Sequence, residues 1–87
     1  MNKKESEVYQ LTYKLFNYEC AICKSNVCAM HHIRYGAEGR KTYLGNVIPL
    51  CPRHHDLVHT NKNKYQPMLI DMINRKLQEN GYEVDNE

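Results

Sequence analysis

The chain has 87 residues, with twelve Lys and Arg, ten Asp and Glu, five His, a formal charge of +2, one Phe and no Trp. One domain, 1–87, is expected; at this size it buries only about 60% of its unfolded surface, so the apolar core is thin and a staple is needed. No stretch reaches transmembrane length and the opening MNKKESEVYQ lacks the apolar run of a signal peptide, so the expectation is a cytoplasmic chain with no membrane partner, its four Cys holding metal rather than disulfides.

In chain order, Val8, Leu11, Leu15 and Tyr18 recur at spacings of three and four, which predicts an amphipathic packing helix over about 5–18. Cys20-Ala-Ile-Cys23 follows at once, and the small and β-branched residues from Val27 to Ile33 predict a strand. Residues 34–45 read as a basic loop, with Gly36, Gly39 and Gly45 among Arg34, Arg40 and Lys41. Asn46 to Leu50 is a short apolar run that Pro49 confines to an edge strand or a strand end. Pro52 suits the first turn of a helix ending near Thr60. Beyond an Asn/Lys linker at 61–64, Met68, Leu69, Ile70, Met72, Ile73 and Leu77 predict a second amphipathic helix over about 65–80. Pro67 falls in its first turn and Gly81 at its C-terminal cap, and the tail after it is polar and acidic.

Charge is spread unevenly. Residues 20–64 hold seven Lys and Arg against Glu38 and Asp56, whereas the rest of the chain holds five against eight acids, so the middle is +5 and the ends −3. A positive centre suits a polyanionic partner such as nucleic acid.

The chemistry-bearing residues concentrate in that centre. Cys20-x-x-Cys23 and Cys51-x-x-His54 are two pairs with the gap that lets both side chains of a tight turn reach one ion, the pattern of a closed tetrahedral structural Zn²⁺ site. Cys28 is left over and competes with His54 as fourth ligand. His55 and His59, four apart, lie about 40° apart around a helix, while His54 points about 100° from His55, so one helix start can serve two sites. His31 and His32 are adjacent on the predicted strand, where successive side chains leave on opposite faces. One can therefore ligate an ion while the other stays off it, and an imidazole with its lone pair uncommitted can deprotonate water.

Together, His31-His32-Ile33, Asn46 and Cys51-Pro-Arg-His54-His55-Asp-Leu-Val-His59, with Cys20-x-x-Cys23 upstream, resemble the HNH endonuclease family over residues 20–59. The resemblance implies a small α+β fold: a ββα-metal, treble-clef-like core at 20–60 with a zinc knuckle, flanked by an N-terminal and a C-terminal helix. By the same resemblance His32 is the general base, His31, His55 and His59 hold a catalytic divalent metal, and Asn46 bonds backbone across the intervening loop and so orients the base. His54 stands where relatives often carry a fourth cysteine. Mg²⁺ or Mn²⁺ is the expected catalytic ion, with Zn²⁺ or Ni²⁺ suited to three imidazoles. Arg34, Arg40, Lys41 and Arg53 are candidates for phosphate contacts, and Tyr35 and Tyr43 for stacking on bases. For Lys24, Lys62 and Lys64 a solvated surface role is at least as good a reading.

The expected activity is metal-dependent hydrolysis of DNA phosphodiester bonds. Two other readings remain: a non-catalytic zinc-knuckle module that binds nucleic acid, and an adaptor docking through an exposed apolar stripe on residues 68–77, which could equally form a homodimer. Free-standing members of this size resemble nucleases of bacteriophages and mobile elements, where they assist packaging or restriction in a bacterial host.

Overall fold

A computed structural model of the chain describes residues 3–36 and 39–82, with backbone alone at 35, 36, 39 and 40. It is a small α+β structure of three helices and two antiparallel strand pairs. In chain order these are α1 (Lys3–Leu15), β1 (Ala29–His32), β2 (Tyr35–Gly36), β3 (Gly39–Arg40), β4 (Val47–Leu50), α2 (Pro52–Thr60) and α3 (Lys62–Glu79). β1 pairs with β4, His31 opposite Ile48 and His32 opposite Val47, and β2 pairs with β3 as a short hairpin.

β4 is the hub. All four of its residues are buried, and it packs against β1 and all three helices. Ile48 and Leu50 join Phe16, Ile33, Val58, Leu69, Ile73 and Leu77 in one core, to which Cys20 and Cys51 also belong. Burying an aliphatic side chain of this size stabilises by roughly 1.5–3 kcal/mol, so four consecutive buried positions make β4 the main apolar anchor. The sequence reading confined this segment to an edge because of Pro49. It is an edge in the hydrogen-bonding sense, since the sheet has two strands, but its faces are covered. The Pro49 carbonyl accepts the Ala21 N–H at 2.9 Å, which ties the segment around Cys20 to the strand.

Element boundaries differ from the sequence expectation in ways with local causes. α1 stops at Leu15 rather than near 18, because Asn17 and Tyr18 adopt φ of 56° and 60°. The Tyr18 N–H reaches the Tyr13 carbonyl and the Asn17 N–H the Lys14 carbonyl, closing the helix with Asn in the left-handed cap position. Tyr18 is thereby expelled from the packing face to 57% exposure, while Thr12 and Phe16 are buried on it. Thr12 is reconciled to burial by donating its hydroxyl to the Val8 carbonyl at 2.8 Å. The strand expected from Val27 begins only at Ala29, and Val27 is 65% exposed.

The expected linker at 61–64 shrinks to Asn61. Its N–H bonds the Leu57 and Val58 carbonyls ending α2, and its carbonyl accepts the N–H groups of Lys64 and Tyr65 opening α3. α3 thus starts a full turn before Pro67, which sits inside the helix on an exposed position where water can serve the carbonyl that loses its donor. Leu69, Ile73 and Leu77, spaced by four, are the buried stripe of α3. Gly81, with φ 82°, closes it through its own N–H to the Gln78 carbonyl and the Tyr82 N–H to the Leu77 carbonyl, as expected for that glycine. Among the described residues no helix is long and apolar enough to cross a membrane.

Candidate metal centres and the polar depression beside them

The Cys20–Cys23 turn is wound tightly enough to aim both thiols one way. The Lys24 N–H bonds the Cys20 carbonyl at 2.9 Å and the Cys20 N–H bonds the Ser25 carbonyl at 2.8 Å, with Lys24 in the left-handed region at φ 64°. Opposite it, Cys51 occupies the N-cap of α2, followed by Pro52 at the first helical position. His54 is then one turn into the helix and swings its Nδ1 back toward the thiols. The ligand atoms of Cys20, Cys23, Cys51 and His54 all lie within 4.8 Å of one another. Cys23 Sγ to Cys51 Sγ is 3.6 Å, Cys20 Sγ to His54 Nδ1 is 3.8 Å and Cys51 Sγ to His54 Nδ1 is 3.1 Å. Tetrahedral zinc with Zn–S of ~2.3 Å and Zn–N of ~2.0 Å separates its ligands by roughly 3.4–3.8 Å, so the group can hold zinc or another metal.

Cys28 does not enter this group. Its thiol reaches the Tyr18 carbonyl at 3.8 Å, and burial, foremost, pushes it up. At Cys20 burial is also the largest influence and raises the thiol. The backbone N–H groups of Cys23, Cys51 and Ile22, with the Cys23 side chain, outweigh it and bring Cys20 down to about 6. A sulfur already served by N–H donors is a prepared thiolate, the form a metal binds.

The second cluster forms where β1 meets α2. His31, 2% exposed, faces inward from the strand, and the α2 helix presents His55 and His59 to it from successive turns. Ring centroids are 5.0 Å (His31–His55), 5.6 Å (His31–His59) and 4.5 Å (His55–His59), each pair edge-on, and one nitrogen from each ring lies within 4.8 Å of the others. Three protonated imidazoles would repel at this range. Burial first, then the charges of His55, His59, His32 and Lys62, hold His31 down to about 4, and burial followed by His59 lowers His55 against a small opposing effect of Asp56. His31 and His55 are thus pressed toward the neutral, lone-pair-bearing form that ligates a divalent ion.

His32 leaves the strand on the other face. Its Nε2 is 2.8 Å from Thr42 Oγ1 and its ring is 6.1 Å from that of Tyr9 on α1. Glu5, Tyr9, His32, Lys41 and Thr42 line an open depression of about 460 Å³. Behind it, Asn46, 1% exposed, accepts the Arg34 N–H at 2.9 Å through Oδ1 and donates through Nδ2 to the carbonyls of Lys41 (2.8 Å) and Arg34 (3.4 Å). Gly45, with φ 104°, makes the preceding turn that a side-chain-bearing residue adopts only with strain.

Of the residues picked from the sequence, Cys20, Cys23, Cys51 and His54 come together, as do His31, His55 and His59, and Asn46 spans the loop. Lys41 lines the depression beside His32; Arg34 is half-buried, with its backbone held by Asn46; Arg53 is exposed at the start of α2. The side chains of Arg40 and Tyr35 lie outside the described residues. Thr42, Tyr9 and Glu5 were not picked. Thr42 carries no local signal beyond its hydroxyl, and Tyr9 and Glu5 reach the depression only because α1 folds across β4. No protein-family model, no curated protein and no solved structure matches this chain.

Proposed function

We propose that the chain is a metal-dependent DNA endonuclease of the HNH kind, hydrolysing phosphodiester bonds, with Cys20, Cys23, Cys51 and His54 holding a structural Zn²⁺. The observation that carries the reading is the divergence of the two adjacent histidines: His31 converges with His55 and His59, while His32 faces an open polar depression on the opposite side of the strand. A purely structural zinc protein has use for the cysteines but not for a second, three-imidazole group with a fourth imidazole beside it.

In this reading His31, His55 and His59 hold a divalent cation, Mg²⁺ or Mn²⁺ in preference to Zn²⁺ or Ni²⁺, which when bound supplies Lewis acidity against the charge growing on the phosphoryl group. His32 takes a proton from the attacking water. Imidazole is the side chain suited both to accept and to release a proton in such a step. Asn46 holds the 34–46 loop closed, so that the residues facing His32 stay in place. Lys41 lies in the depression, and its charge, with those of Arg34, Arg40 and Arg53, favours a polyanionic backbone.

The test is supercoiled plasmid incubated with purified protein and Mg²⁺ or Mn²⁺, with and without chelator, comparing the native chain with His32→Ala. Positioned base catalysis contributes about 10²- to 10⁴-fold, so the variant should nick that much more slowly at unchanged melting temperature. Chelator-resistant nicking, or an alanine variant that cuts as fast as the native chain, would end this reading.

A further inference from the structure

The depression beside His32 is lined in part by a helix that lies outside the 20–59 stretch. Glu5 and Tyr9, one turn apart on one face of α1, border it together with His32, Lys41 and Thr42. The charged side chains among these are one ammonium, Lys41, and one carboxylate, Glu5, which offset each other. Coulomb attraction alone therefore fixes a phosphate poorly at this spot, and holding one in a defined place falls to hydrogen-bond donors.

Four of the five lining side chains are already engaged. Thr42 Oγ1 and His32 Nε2 lie 2.8 Å apart, and Glu5, Lys41 and His32 each have a further interaction. Tyr9 differs. Its ring packs against that of His32, centroids 6.1 Å apart and tilted by 60°, but its hydroxyl forms no hydrogen bond among the described residues. A Phe would make the same ring contact, so the hydroxyl is not needed for packing. At a half-buried position bordering open space, a phenol can exchange water for an incoming acceptor at little cost.

A nucleic-acid strand offers phosphate oxygens as its most regular acceptors, tyrosine hydroxyls are among the donors that serve them, and the acceptor's charge strengthens the bond. We propose that Tyr9 is a substrate-contacting residue: its hydroxyl donates a hydrogen bond to a non-bridging phosphate oxygen of the DNA strand lying in the depression. This rests on the reading of the chain as a DNA-cutting enzyme with His32 on the substrate side. α1 is then a wall of the DNA site as well as a packing helix. The contact is made by substrate and transition state alike, so it tightens binding without accelerating the chemical step.

The experiment compares the native zinc-loaded chain with Tyr9→Phe, at equal zinc content and melting temperature. Fluorescence anisotropy with a short duplex DNA, no Mg²⁺ or Mn²⁺ added, should show Kd raised about 10-fold by loss of a hydrogen bond to a charged acceptor. Because the phenol is neutral, the slope of log Kd against log salt should equal that of the native chain, whereas losing a phosphate-paired cation would flatten it. Plasmid nicking with Mn²⁺ should show KM raised by about the same factor and kcat within about threefold of native. Among duplexes carrying a single methylphosphonate at successive positions, one should weaken the native chain about 10-fold more than it weakens Tyr9→Phe. A Kd within about twofold of native in Tyr9→Phe, a flattened salt slope, or the lack of any such position each overturns the inference. Should the native chain bind the duplex but never nick, the nuclease reading fails and the anisotropy still decides the contact. Should both proteins nick with the same KM, the contact fails and the nuclease reading stands.

Discussion

Replacing Asn46 by Ala removes three hydrogen bonds from a position that is almost fully shielded from water. The Arg34 N–H loses the Oδ1 acceptor, and the carbonyls of Lys41 and Arg34 lose the Nδ2 donor. A typical neutral hydrogen bond contributes a net ~0.5–1.5 kcal/mol, and a buried polar group left unsatisfied costs about 1–3 kcal/mol. The Arg34–Nδ2 contact is long at 3.4 Å and is discounted, leaving two good bonds. Their loss, with partial entry of water into the loop, comes to about 2–4 kcal/mol. For a domain of this size 1 kcal/mol moves the melting temperature by roughly 4–8 °C, so a fall of at least about 8 °C is expected. The assay is thermal unfolding followed by circular dichroism at one fixed concentration of zinc, since free metal shifts apparent stability by mass action. Asn46→Asp, which keeps size and acceptor but turns a donor toward two carbonyls into an acceptor, should fall at least as far. A melting temperature within about 3 °C of native in both variants would mean that the amide does not bridge the loop.

Other consequences follow from the metal groups and the core. Cys23→Ser should leave the purified protein short of one zinc by metal analysis and lower its melting temperature; full zinc content would move the knuckle to other ligands. With the second site metal-free, His31 should titrate near 4 in ring-resolved NMR, and a midpoint at or above 6 would mean that the ring is not held among its neighbours as described. Because its folded pKa is depressed below the reference 6.5, the stability it contributes is complete above about pH 6.5 and is lost as pH falls toward 4. Between pH 6.5 and 5 that loss is about 1.5 kcal/mol in the urea-derived unfolding free energy, and a flat profile would contradict it. Ile73→Ala removes a fully buried side chain of α3 that packs in the core with β4 and should cost about 2–5 kcal/mol by denaturant unfolding, whereas the exposed Met68→Ala should cost well under 1 kcal/mol.

The amino-acid order alone determined which residues can share an ion. The two-residue gaps at Cys20/Cys23 and Cys51/His54, the four-residue gap at His55/His59 and the alternation of His31 and His32 are local periodicities, and local periodicity survives into any fold that keeps the helix and the strand. Gly81 and Pro52 marked helix ends for the same reason, because their backbone preferences act within one turn. Other features were decided by residues far apart in the chain. The choice of His54 over Cys28 depends on how α2 docks against the Cys20 turn, and the buried status of β4 depends on three helices arriving around a strand whose proline pointed only to an edge or a strand end. Placement of Thr42 opposite His32 depends on Asn46 closing a loop across backbone groups at Lys41 and Arg34. A side chain that bonds backbone leaves no composition signal at its partners, since every residue but proline offers the same N–H and every residue the same carbonyl; only the closed loop shows which of them it meets.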